Sequence, residues 1–274
     1  MKKAGIVCCS NGQKKEYKET ISKLEKVLAE LGMESVFGNC IYEKEVGIYT
    51  GKERAAELMR CYRNEEIEHI FDISGGDIAN GVLPYLNYDE IKKTSKIFWG
   101  YSDLTTIVNA IYTKTGKASV LYQIKNLAYD YGKERIEEFK TDKLINDFSY
   151  CFIQGTEMEG VVIGGNIRCF LKLAGTEYMP DFKEKVLLLE SLGGTVPQME
   201  TYLSQLQQLG AFEKVAGILL GTFTQMEKEA CVPTIQELLL NYIPETMPVA
   251  ETGEIGHGTD AKAIWIGKDI KLKA

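Results

Sequence analysis

Apolar residues along this chain follow two rhythms. Short apolar runs bounded by turn residues occur at Ala4–Cys9, Met33–Phe37, His69–Ile73, Lys96–Trp99 and Ser119–Tyr122. Such runs read as buried strands. Between them the apolar positions recur at helical spacing. Tyr17, Ile21, Leu24, Leu28 and Leu31 form one such stripe, stopped by Gly32. Ala55, Leu58, Met59 and Tyr62 form a second, and Leu104, Ile107, Val108 and Ile111 a third, ending at Gly116. Strands alternating with helices predict βαβ units, and therefore an α/β chain with a parallel sheet covered on both faces. Function in such sheets sits at the carboxyl ends of the strands. That points to two loops, Ser74–Gly81 and Gly100–Asp103.

Beyond this alternation the texture changes. Residues 133–148 read as a charged helix. Val161–Ile163 reads as a strand before the turn Gly164-Gly165-Asn166, and Lys185–Leu189 as an apolar strand ending at Glu190. Pro197–Leu209 is helical, with proline near its start as helices allow. Val215–Leu220 is a strand, Thr234–Leu240 a short helix, and Met247 onward reads as β-structure and turns. A domain boundary is expected near residue 140.

Composition narrows the function classes. The chain has 274 residues, 45% hydrophobic and 26% charged, as in ordinary globular proteins. Its 32 basic and 39 acidic residues give a formal charge of -7, and no basic block suggests a nucleic-acid partner. No apolar stretch reaches the ~18 residues a membrane-spanning helix needs. The seven cysteines show no metal-type spacing, so a metal or other cofactor is not expected. Scattered and odd in number, they read as reduced thiols of a cytoplasmic protein. Cys8 and Cys9, adjacent in a strand, should face opposite ways. Histidine occurs only at His69 and His257, which leaves two candidates for an imidazole base.

The stretch Ile97-Phe98-Trp99-Gly100-Tyr101-Ser102-Asp103-Leu104-Thr105-Thr106 runs a buried strand through a tight turn directly into a helix. A serine at such a turn stands proud of the sheet, which is the physics of a nucleophile elbow. The helix dipole and the N–H of Asp103 face the place where negative charge would develop. Equally, Ser102 fits a simple helix cap. Ser74-Gly75-Gly76-Asp77 follows another strand, and its glycines let backbone amides approach a ligand. An N–H there can complete an oxyanion hole, or the loop can be an ordinary turn. The spacing matches neither a dinucleotide fingerprint nor a P-loop. His257 lies between glycines in a loop, whereas His69 begins a strand and reads as structural. Two carboxylates compete to orient His257: Glu190 at a strand mouth, and nearby Asp260.

Taken together, these blocks resemble the LD-carboxypeptidase family of serine peptidases, which includes the microcin C self-immunity proteins. Gly75-Gly76-Asp77 with Val82-Leu83-Pro84-Tyr85-Leu86 is similar to the family's glycine loop and following helix. Lys96–Thr105 is similar to its nucleophile block, with Gly100-Tyr101-Ser102-Asp103 the specific part. Gly164-Gly165-Asn166, Leu187-Leu188-Leu189-Glu190, Val215–Gly221 and Gly256-His257 follow in the family's order. The resemblance implies a Ser102–Glu190–His257 triad with the amides of Gly76 and Asp103 as oxyanion hole. It implies a Rossmann-like N-terminal domain over 1–140 carrying the nucleophile. A smaller, β-rich C-terminal domain over 141–274 would carry Glu190 and His257. Asn166 and Arg168 are further candidates to touch substrate.

The sequence also departs from the family pattern. Gln123-Ile124 stands where members carry Gly-Pro, and Ser191–Val196 replaces an acidic, arginine-bearing segment. The implied partner is a small peptide, bound by a homodimer without nucleic acid or membrane. The expected activity is removal of terminal D-alanine from muropeptides during peptidoglycan recycling. A microcin C-type immunity amidase acting on an aminoacyl-adenylate mimic is the alternative. So is a relative that binds ligand without turnover. A flat platform for adenine would need a loop that this short chain does not offer, which favours the muropeptide.

Overall fold

The computed structural model describes residues 2–274. Five strands open the chain: β1 (Lys2–Val7), β2 (Met33–Phe37), β3 (Ile67–Asp72), β4 (Ile97–Gly100) and β5 (Ser119–Leu121). Helices α1 (Lys18–Glu30), α2 (Gly51–Arg63), α3 (Tyr88–Lys93) and α4 (Thr105–Thr115) lie between them, and α5 (Gly132–Lys140) follows. The local chemistry explains the boundaries. At α2, the Glu53 N–H donates to Thr50 Oγ1 at 3.2 Å and the Thr50 N–H donates to Glu53 Oε2 at 2.7 Å, a reciprocal cap. At α4, Gly116 takes a left-handed φ of 73° and its N–H closes the last turn on Tyr112 O at 2.8 Å.

The second half contains β6 (Cys151–Gln154), β7 (Glu157–Asn166), α6 (Ile167–Phe170), β8 (Lys185–Ser191), α7 (Val196–Gln208) and β9 (Gly217–Phe223). Then come α8 (Thr224–Lys228), α9 (Ile235–Leu240), β10 (Val249–Glu251), β11 (Ile264–Ile266) and β12 (Asp269–Lys273). Two six-stranded sheets result, ordered β11-β5-β4-β3-β1-β2 and β12-β7-β8-β9-β10-β6. The first is parallel except for β11, which runs antiparallel to β5. In the second, β7 to β10 are parallel neighbours, flanked by antiparallel β12 and β6. The chain is thus α/β in both halves, with helices accompanying the second sheet as well.

The charged helix expected over 133–148 stops at Lys140. Asp142 and Asn146 take φ values of 56° and 62°, and the N–H groups of Lys143 and Leu144 both turn back to Glu138 O. Ending there lays Leu144 into the core and lets Ile145 bridge to Ala263. The core forms two clusters. One covers a single face of the first sheet, and the other fills its opposite face and continues into the second sheet. Cys8 belongs to one and Cys9 to the other, as alternation along a strand requires.

Specific polar contacts cross the otherwise apolar seam between the sheets. Asn109 of α4 donates to Gly164 O at 2.8 Å and accepts from the Gly164 N–H at 2.9 Å. The Asn166 N–H donates to Thr105 Oγ1 at 3.0 Å. Gly165 has φ 127°, and a Cβ there would lie 2.8 Å from Thr105 Oγ1. The glycine pair therefore lets β7 run directly against the helix that leaves Ser102.

Candidate active site

Ser102 follows β4 after one residue and opens a 3₁₀ turn, Ser102–Leu104, that runs into α4. Its φ is 55°, a left-handed conformation that a serine adopts only when its surroundings impose it. Gly100 makes the turn possible, since a Cβ there would meet Leu104 Cβ at 2.7 Å. The tight strand-to-helix turn expected from the sequence is present, and the structure adds the strain at Ser102.

His257 and Glu190 meet across two distant segments. His257 Nδ1 lies 2.7 Å from Glu190 Oε2, and Glu190 is fully buried. A carboxylate facing Nδ1 accepts a hydrogen bond from the neutral tautomer protonated there, the tautomer that leaves the lone pair on Nε2. Nε2 is buried and has no hydrogen-bond partner among the described residues. Asp260 does not bond the imidazole; its carbonyl accepts from Arg135 instead, at 2.6 Å. His69 lies apart, its ring nitrogen accepting from Trp99 Nε1 at 3.1 Å and its ring stacked on Phe71. Burial lowers the His69 pKa.

No hydrogen bond joins Ser102 to His257, yet both line one cavity of about 410 Å³. A second cavity of about 390 Å³ adjoins it and is lined by Ser102, Asn166, Arg168, Gln198 and Tyr202. Gly76, Ser102 and Leu192 line both, so the serine stands at their junction.

The Gly76 loop is held from several sides. Gly76 has φ 120°, and a Cβ there would meet Asn11 Cγ at 2.4 Å. The Asp77 N–H donates to Asn11 Oδ1 at 3.1 Å. Arg168 pairs with Asp77 and donates to Gly76 O at 3.1 Å. Among the described residues, no turn, cap or side-chain bond takes up the N–H of Gly76 or of Asp103. Asn166 accepts from the Cys169 N–H at 3.3 Å, so its side chain caps α6 while its surface lines the second cavity.

Sequence reasoning missed three contributions. Tyr101 donates to Glu190 Oε2 at 2.9 Å and packs edge-on against His257, with ring centroids 4.7 Å apart. Burial first, then the Glu190 charge, pushes its phenol well above the usual range, so it remains a donor. A tyrosine ending a buried strand needs a partner for its hydroxyl, which was the available signal. The Asp103 side chain is the second. Fully buried, it accepts from Ser10 Oγ at 2.6 Å and from the Ala79 N–H at 2.7 Å, and pairs with Lys172. Lys172 is the third: its ammonium also donates to Asp77 O at 2.9 Å, tying the turn after β4 to the glycine loop.

The fold and these blocks match known proteins. A model of the LD-carboxypeptidase N-terminal domain matches residues 4–122, and one of the LD-carboxypeptidase C-terminal domain matches 159–272. The chain belongs to the LD-carboxypeptidase family, a family of peptidases. It is 27% identical over 262 residues to the "probable murein peptide carboxypeptidase" of Bacillus subtilis strain 168, covering 88% of this chain and 80% of that one. It is 29% identical over 212 residues to the microcin C7 self-immunity protein MccF of Escherichia coli, covering 63% and 61%. The crystal structure of an MccF-like protein from Bacillus anthracis strain Ames superposes with a TM-score of 0.88 at 27% identity, covering 100% of this chain and 94% of that one. Among the described residues, no helix is long and apolar enough to cross a membrane.

Proposed function

We propose that the protein is a serine carboxypeptidase that removes a terminal D-alanine from muropeptides, with Ser102 as nucleophile, His257 as base and Glu190 orienting the imidazole. The observation that carries this is the strained Ser102 turn sharing a cavity with an imidazole whose Nδ1 is held 2.7 Å from a buried carboxylate. In the reactive complex the Ser102 hydroxyl turns towards Nε2, gives up its proton and attacks the amide carbonyl. The N–H groups of Gly76 and Asp103 receive the oxyanion. His257 then protonates the leaving amine, the C–N bond breaks, and water hydrolyses the acyl-enzyme. We assign the reaction to a bacterial cytoplasm, where free thiols such as the buried Cys8, Cys9, Cys40, Cys61 and Cys169 stay reduced.

Ser102→Ala is expected to abolish release of D-alanine from a tetrapeptide muropeptide and labelling by a fluorophosphonate, with the circular dichroism spectrum unchanged. Retained turnover would reject Ser102. The likeness to a microcin immunity protein makes an aminoacyl sulfamoyl adenylate the second substrate to assay. Faster cleavage of that compound than of the muropeptide would move the reading to an immunity amidase.

A further inference from the structure

Lys125 lines the cavity that holds Ser102 and His257, and it is 9% exposed. Its ammonium has three donors. One goes to Gln13 Oε1 at 2.9 Å, and the Tyr17 ring centroid lies 5.4 Å away. No carboxylate forms an ion pair with it among the described residues. Asp72, the carboxylate whose charge reaches it, is spent elsewhere. Its oxygens accept from the Cys9 N–H at 2.7 Å, the Ser74 N–H at 2.8 Å and the Ser74 hydroxyl. Burial lowers the pKa of Lys125, the response of an ammonium short of an anion.

The other cations near Ser102 are already engaged. Arg168 pairs with Asp77, and Lys172 pairs with Asp103. Lys125 is therefore the buried positive charge of this site that awaits a partner, and a site built this way favours a ligand that supplies a negative one.

The chemistry says which part of the substrate that is. The imidazole must reach the nitrogen of the leaving residue to protonate it. The leaving residue thus lies on the His257 side of Ser102, in the cavity that Lys125 also lines, and the acyl portion lies towards Asn166 and Arg168. The residue released by a carboxypeptidase carries a free carboxylate. We propose that Lys125 Nζ, beside Gln13, is the group that recognises the terminal carboxylate of the departing residue and makes the site select free acids. This rests on the peptidase reading above.

The test uses the full chain carrying Ser102→Ala, so that substrate binds without turnover. Calorimetry compares a tetrapeptide muropeptide ending in D-alanine with the same peptide amidated at its C-terminus. The free acid is expected to bind at least about tenfold tighter, the worth of one charge-assisted hydrogen bond. Adding Lys125→Met should bring the acid down to the level of the amide, whereas Lys125→Arg should keep a preference. Lys125→Gln, whose amide can still bond Gln13, provides the same reading if thermal unfolding shows that the Met variant is not folded. Equal binding of acid and amide before any change at Lys125 overturns the proposal. So does a preference that survives Lys125→Met or Lys125→Gln. Turnover by the protein with Ser102 intact separates the two readings. Turnover with a preference indifferent to Lys125 rejects only the carboxylate site. A Lys125-dependent preference without turnover rejects the peptidase and keeps the site.

Discussion

Tyr101 stands one residue before Ser102 in the chain, and its hydroxyl donates to the same Glu190 oxygen that faces His257 Nδ1. The buried carboxylate thus has two donors on one oxygen. Removing the phenolic donor leaves that buried oxygen with one donor fewer and takes away a contact that fixes the carboxylate beside His257. Tyr101→Phe is therefore expected to lower kcat/KM about tenfold, the worth of one hydrogen bond to a charged group. Steady-state kinetics on the muropeptide check this, and an unchanged kcat/KM would mean that Tyr101 acts through the packing of its ring on His257 alone.

The element that matters most to the site is the meeting of β7 with α4. Gly165 lets the strand approach within reach of Thr105, in the first turn of the helix that Ser102 introduces. An added Cβ would face Thr105 Oγ1 at 2.8 Å and hold a φ of 127° that L side chains avoid. Gly165→Ala is expected to cost about 1–3 kcal/mol of stability, read as a lower urea midpoint. It should also lower activity, since α4 cannot shift without moving Asp103. Gly32→Ala provides the comparison: its φ is 79° but open space surrounds it, so its cost should be smaller. Equal costs at the two positions would mean that the close approach to α4 contributes nothing.

At the scale of the whole molecule, burial of weak acids sets the alkaline limit. Cys8 and Cys9 are pushed well above their ordinary value of 9.0, Cys40 and Cys61 to about 11, and Cys169 to about 12, by burial in each case. Tyr62, Tyr88, Tyr101 and Tyr122 are raised above 10.0 for the same reason. The folded protein holds these protons more tightly than the unfolded chain does. Their contribution is therefore complete below pH 9 and is lost as pH rises through the folded values. Urea midpoints are expected to fall steadily from about pH 9 to 11, and a flat profile would contradict this assignment.

Much of this was legible in the residues because it depends on neighbours along the chain. Apolar spacing and glycine stops specified the five parallel strands of the first sheet and helices α1, α2 and α4. The run from Trp99 through Ser102 declared a serine at a tight strand-to-helix turn, and the apolar run before Glu190 placed that carboxylate at a strand end. Tertiary structure decided what joins across distance. Glu190 rather than Asp260 meets His257 over 67 positions of chain, and Tyr101 reaches Glu190 over 89. It brought β11 from the C-terminal stretch back onto β5, cut the charged helix short at Lys140, and turned Asp103 from an amide donor into a buried anchor as well. Periodicity and turn chemistry are set by adjacent residues and can be read in order. Which carboxylate meets which imidazole depends on how two sheets pack, and that choice is made only when the whole core closes.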